Sequence, residues 1–439
     1  MVLIGLSLIS HPFMVGAQGL NNILRNIEQQ APLLQSARAN ADASKAGIDI
    51  AKSQYWGDAQ VFGQANHYNN DRLVNPISFP PTLTQSLFDN DIYGYGASFN
   101  LPLDIDGRIA SKVQKNELLN QAAVQNIQQT RLVLFAQAVS LYRGMQQLKG
   151  VKQALNLQLD ALKEHYKTSK AAVNVGRMAK VELLRIDAEM KSVEGKLAGL
   201  AGDEVRLRSG IAALIDSPSY TESITSLYKP PHKTLLNSDI NKLINTRPDI
   251  KAARKLMQAS DKNLLGAKKE WLPKLSFRAD TLHNQGDTAI GQNNWNVGVQ
   301  LKWEFWDGGR RSANIDKAHA GKIAVARQYQ NLFNQARAQI KTAQAHWKSA
   351  SQQYDAAAAG IKSAIKTEQI QSDRFNEGRL SAVDLIDAEA SLARSRSEKI
   401  SALANWWLAD DQLLIARGLP PSDYNQKTIQ ASSTILENN

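Results

Sequence analysis

The chain has 439 residues, 43% of them hydrophobic, with 52 Lys and Arg against 41 Asp and Glu for a formal charge of +11, and no cysteine. The apolar content supports a sizeable core and excludes disorder as the default, while the missing cysteines exclude disulfides, thiolate metal sites and a lipid-bearing cysteine. Positive charge is dispersed, since Lys268-Lys269-Glu270 and the run Arg394 to Lys399 mix both signs along helical faces; that pattern fits a solvated surface and not a phosphate-neutralising groove, so nucleic acid is not an expected partner.

In chain order, residues 1–17 read as a cleaved secretory signal. A short apolar run from Val2 to Ile9 leads to Val15-Gly16-Ala17, small residues that suit a signal peptidase, with Gln18 as the expected mature start, although a basic leading region is missing. A first repeat follows over 18–216: a helix, strands at 58–70 and 92–104, and a long helical hairpin over 107–215. Residues 217–237, with Pro218, Pro230 and Pro231, form a linker. The second repeat, 238–419, has a helix, strands at 274–284 and 294–306, and a hairpin over 308–418, leaving 420–439 as a tail.

The hairpins rest on proline placement. No proline occurs from Leu103 to Ser217 or from Lys274 to Leu419, and a proline within a helix costs about 3 kcal/mol. Stretches this long, rich in Ala, Gln, Leu, Lys and Glu, predict helices far longer than the globular average.

The duplication rests on aligned residues. Ala31-Pro32-Leu33-Leu34 and Ala37-Arg38 match Arg247-Pro248-Asp249-Ile250 and Ala253-Arg254 in a frame that also places Tyr55 on Trp271. Farther on, Gly107-Arg108 matches Gly309-Arg310 and Asn174-Val175-Gly176-Arg177 matches Asn376-Glu377-Gly378-Arg379, with equal separations in both copies. Equal lengths predict paired rods of roughly 100 Å. The offset changes between the strands, so the first copy carries the longer loop, from Asp71 to Asn90.

The strands alternate with a period of two. Tyr93, Tyr95, Ala97, Phe99, Leu101 and Leu103 share one face of the second, and Trp295, Val297, Val299, Leu301, Trp303 and Phe305 one face of the fourth. Lengths near ten residues, with Tyr93, Trp295, Trp303 and Trp306 near the ends, suit a tilted bilayer crossing flanked by aromatic girdles. Four strands cannot close a barrel, and unpaired edges in lipid cost several kcal/mol per group, so other copies must complete it. Three copies give twelve strands, which predicts an obligate homotrimer.

The duplicated strand pair, the transitions at Asp106-Gly107-Arg108 and Asp307-Gly308-Gly309-Arg310, Leu272-Pro273 after Arg247-Pro248-Asp249-Ile250, and the Gly378 turn followed by Asp384-Leu385-Ile386-Asp387-Ala388 together resemble TolC-like outer-membrane efflux proteins over nearly the whole mature chain. The resemblance implies a mainly α fold with a transmembrane β-barrel: a trimeric duct with a twelve-stranded barrel in outer-membrane lipid of a Gram-negative-type bacterium and a coiled-coil helical tunnel in the periplasm. It implies a periplasmic adaptor protein and an inner-membrane transporter as partners, and small toxic molecules as cargo, passed without chemistry or cofactor. An exit channel for secreted proteins is the alternative within that class, and a soluble coiled-coil scaffold the alternative outside it.

The resemblance also places candidate sites. Asp384 and Asp387 match gate carboxylates, three residues apart and therefore on one helical face, where rings in a trimer would attract cations; acidic residues in a helix's first turns also serve its dipole. Glu182 matches an acidic latch position. Its expected arginine partner falls on Leu380, with Arg379 one place away, and a family tyrosine position reads Phe375. Gly176, Arg177, Gly378 and Arg379 mark the tips that contact adaptors, and both glycines suit a left-handed helix end. The seven histidines show no metal-ligand spacing, and neither a phosphate-binding glycine loop nor a nucleophile triad stands out, so an enzyme is not expected.

Overall fold

In the computed structural model, residues 19–77, 86–231, 239–422 and 424 are described; the expected signal lies outside them, as does most of the tail. The elements in chain order are α1 (Gly19–Gln30), α2 (Pro32–Ser53), β1 (Asp58–Leu73), β2 (Phe88–Leu103), α3 (Arg108–Asn174), α4 (Lys180–Leu214), α5 (Ile240–Thr246), α6 (Pro248–Lys269), β3 (Lys274–Gly286), β4 (Gln292–Lys302), α7 (Arg310–Asn376) and α8 (Ala382–Ala416). The duplication shows in the lengths: α2 and α6 have 22 residues each, α3 and α7 have 67, α4 and α8 have 35. Each copy's leading helix is broken in two, because Pro32 and Pro248 lack the N–H that a continuous helix needs and instead occupy a first helical position.

Two compact units share these elements. One comprises 1–37, 127–248 and 333–439. In it, Leu20, Ile23, Leu24 and Ile27 of α1, spaced for one helical face, pack with Phe135, Val139 and Tyr142 of α3 and Ile211 of α4. Toward the hairpin turns a second cluster joins Leu159, Leu162, Ile186 and Val193 to Phe375, Ala382 and Leu385. The same unit holds a buried ion pair: the Arg143 guanidinium donates to Asp411 Oδ2 at 2.9 and 3.0 Å and stands 4.8 Å from the Trp407 ring centroid.

The other unit comprises 38–126 and 249–332. Its sheet is antiparallel in the order β1-β2-β3-β4, so β1 and β4 are edges without a partner among the described residues. Trp295, Val297, Val299 and Leu301 on β4 are 58–76% exposed, a continuous apolar row facing away from the chain. The fourth strand ends at Lys302, four residues short of the expected limit. Lys302 pairs with Lys274, the first residue of β3, and Pro273 before it has no N–H with which to extend the ladder. Trp303 lies past the strand, its indole N–H donating to the Trp271 carbonyl at 3.2 Å. At the other end β1 runs on to Leu73 after a register shift between His67 and Arg72; residues 78–85 of the expected loop lie outside the described residues.

Candidate functional site: hairpin turns and open sheet edges

The two hairpin turns are built alike. Arg177 N–H donates to Ala172 O at 2.8 Å and Gly176 N–H to Val173 O at 3.0 Å; in the second copy Arg379 N–H donates to Arg374 O at 2.9 Å and Gly378 N–H to Phe375 O at 2.9 Å. Gly176 and Gly378 have φ of +74° and +73°, the left-handed conformation that closes a helix end and that a side chain would strain. Arg177 is exposed, and Arg379 pairs with Glu377 at 3.1 Å on the surface.

The helices leaving these turns begin differently. At α8, Ser381 Oγ accepts from Asp384 N–H at 3.3 Å and donates to the Asp384 carboxylate at 2.7 Å, so Asp384 belongs to its own helix cap. Asp387 is exposed, and its carboxylate has no ion pair or hydrogen bond among the described residues. At α4 the capping position is Ala179, which offers no side-chain oxygen. Its first-turn carboxylate, Glu182, instead crosses to the other repeat and accepts from the Ala382 backbone N–H, the start of α8, at 3.0 Å, while Arg185 lies 3.4 Å away. The link between repeats is therefore carboxylate to helix N-terminus, favoured by the dipole. The arginine expected opposite Glu182 is replaced by Leu380, which packs on the apolar cluster, and Arg379 points elsewhere.

A polar group behind the turns has no sequence motif. His165 Nε2 of α3 lies 3.4 Å from the buried Glu389 of α8, and its ring meets Phe375 edge-on at 5.9 Å. Glu368 of α7 joins them: burial, then the charge of Glu389 and a hydrogen bond to it, push its carboxyl up, against weaker opposition from His165 and Arg396. Glu368 and Glu389 sit among alanines and lysines in long helices, where isolated charges read as solvated positions, so nothing in the pattern singles them out.

The sheet-to-helix transitions are capped by aspartates. Asp104 accepts from Ile109 and Ala110 N–H at 2.8 Å each, and Asp307 from Gly309 N–H at 3.2 Å and Arg311 N–H at 3.1 Å. Burial acts to raise the Asp307 carboxyl, but hydrogen bonds from Arg311 and its charge outweigh that and hold it below its ordinary value. Among the described residues no group of His, Cys, Asp and Glu could hold a metal ion, and no helix is long and apolar enough to cross a membrane.

The profile of the family described as outer membrane efflux protein matches residues 23–215 and 240–418, both repeats. The chain belongs to that family. Nodulation protein T of Rhizobium leguminosarum bv. trifolii is 21% identical over 422 residues, 93% of this chain and 85% of its own length. The putative multidrug resistance outer membrane protein MdtQ of Escherichia coli is 21% identical over 416 residues, 91% and 84%. The CmeC outer membrane channel of Campylobacter jejuni shares the fold with a TM-score of 0.77 at 18% identity, over 94% of this chain and 89% of that one. As an outer membrane efflux protein the chain is placed in the outer membrane, and the exposed apolar row of β4 suits lipid.

Proposed function

We propose that three copies of this chain close one duct, which works with a periplasmic adaptor protein and an inner-membrane transporter to pass small toxic molecules, drugs among them, out of the periplasm. The observation that carries this reading is the open sheet: among the described residues the outer edges of β1 and β4 are unpaired, and the apolar row of β4 is exposed. In lipid each unpaired backbone group costs several kcal/mol, and joining β4 of one copy to β1 of the next removes that cost around a ring. Small-molecule cargo is supported by the multidrug resistance relative. The duct is a conduit and has no chemistry of its own. Its test is the current carried by purified protein in planar bilayers: discrete single-channel steps are expected, and a silent bilayer into which the protein has demonstrably inserted contradicts the reading.

In the same assembly Asp387 forms the cation-attracting ring of the gate, with Asp384 beside it, Glu182 holds the two hairpins together, and the turns at Gly176-Arg177 and Gly378-Arg379 meet the adaptor. The capping bonds of Asp384 make Asp387 the cleaner probe. Asp387→Ala is expected to weaken block by multivalent cations applied from the periplasmic side without loosening α8; unchanged block removes the ring from the gate.

A further inference from the structure

The strand-bearing unit contains a cavity of about 880 Å³ lined by α3, α6 and α7, with Gln54 at its edge. Its charge is one-sided. Lys112, Lys115, Lys262 and Lys317 line it, and none of the four has a carboxylate partner among the described residues. Two further cations on the wall are already paired, Arg108 with Asp106 and Lys322 with Asp261 at 2.8 Å. Glu270 is the one acid among the described lining residues, and it is engaged by Asn314 at 3.4 Å and Arg310 at 3.9 Å. Leu119, Leu256 and Val325 add apolar surface to the lining. Like charges brought together on one lining repel one another, and none of these four is matched by an ion pair among the described residues.

The side of the helices on which the cavity lies follows from their neighbours. Lys269 of α6 donates to Gly107 O at 2.8 Å and to Ser111 Oγ of α3 at 3.1 Å, and Asp261 of α6 pairs with Lys322 of α7. Thus α6 stands between α3 and α7, as the strand order β2-β3-β4 requires of the helices attached to those strands. A row of three helices can share one cavity between its outer members only on the side toward which it bends. The cavity is on the concave face, and a ring of such rows turns its concave faces to the lumen.

We propose that this cavity binds amphipathic organic anions in transit, the acid group seated among Lys112, Lys115, Lys262 and Lys317 and the apolar body on Leu119, Leu256 and Val325. The inference rests on the duct reading for its position and names a cargo class for it. A volume of this size suits one drug-sized molecule, and a recessed cluster of one sign concentrates counter-ions from solution. Lysines on one lining, of which only Lys115 makes a side-chain hydrogen bond among the described residues, a long one to Asn263 Oδ1 at 3.5 Å, suit a series of acids better than a single one, since each ammonium is a movable point charge on a flexible stem.

The test uses the full chain in planar bilayers and lipid nanodiscs, with anilinonaphthalenesulfonate as the anionic probe and phenylnaphthylamine, the same apolar body without the sulfonate, as its neutral counterpart. One variant carries Lys112→Gln, Lys115→Gln, Lys262→Gln and Lys317→Gln. A charge-matched control carries Lys341→Gln, Lys348→Gln, Lys362→Gln and Lys366→Gln, all exposed on α7 in the other unit. The sulfonate is expected to block current through wild type and control at concentrations at least roughly tenfold below those the cavity variant needs, more strongly at low salt, while the neutral amine does not separate the three. Equal block of the cavity variant and wild type overturns the proposal, as does equal loss in the control. Absence of current from all three proteins overturns the duct reading instead, and sulfonate binding to the nanodiscs, compared across the same three proteins, then decides for or against the cavity alone.

Discussion

Glu182 illustrates what single residues do here. Its repeat counterpart Asp384 caps its own helix with Ser381, whereas Ala179 leaves α4 without such a cap and the Glu182 carboxylate reaches Ala382 N–H in the other repeat. Losing a cap costs about 0.5–2 kcal/mol, and the partial exposure of Glu182 places it toward the low end. Glu182→Ala is therefore expected to leave the fold intact and raise amide exchange at 380–386; unchanged exchange there would show that the contact holds nothing. Arg143 and Asp411 behave differently, being buried to 4% and 0% exposure with direct bonds. Removing one partner strands a buried charge, so Asp411→Ala is expected to cost about 3–5 kcal/mol. The paired change Arg143→Met with Asp411→Leu is expected to recover most of that, as thermal unfolding of both variants would show. The acidic type of positions 182, 384 and 387 was legible from spacing and resemblance. The partner of Glu182 was not, because a bond to a backbone N–H 200 residues away leaves no trace in side-chain identities.

Among elements, helices were legible wherever proline and glycine punctuate them. The absence of proline marked α3, α4, α7 and α8, Gly176 and Gly378 marked their turns, and the shared frame accounts for the equal lengths of the copies. Alternation located the strands but not their ends, since Trp303 and Phe305 continue the pattern of β4 after Pro273 has removed its pairing partner. Interhelical polar contacts were illegible, and the group of His165, Glu368 and Glu389 is the clearest case. Glu368 binds its proton more tightly in the folded chain than in the unfolded one. Its contribution to stability is therefore present below the ordinary carboxylate range and is lost as pH rises through its raised value. His165 of α3 and Glu389 and Arg396 of α8 face it. Amide exchange over 360–376, corrected for its intrinsic pH dependence, is expected to accelerate across that range in wild type and to stay flat in Glu368→Gln. Equal acceleration in both would assign the effect to other groups.

At the scale of the whole molecule, one chain is incomplete by its own chemistry. The sheet has two open edges and an apolar row turned outward. That incompleteness was visible in the sequence as four alternating segments, too few to close a barrel, and the match to outer membrane efflux proteins gives it a setting. Copy number is the point on which duct, gate rings and luminal cavity all depend. The cysteine-free chain allows it to be counted without background. Gln64→Cys on β1, combined in turn with Asn294→Cys, Asn296→Cys and Gly298→Cys on β4, places thiols on the two open edges within the reach of a disulfide once the edges of neighbouring copies meet. Oxidation in native outer membranes is expected to yield, for at least one pair, a ladder that stops at a covalent trimer. Monomer from every pair, or a ladder that continues past three, would contradict closure by three copies.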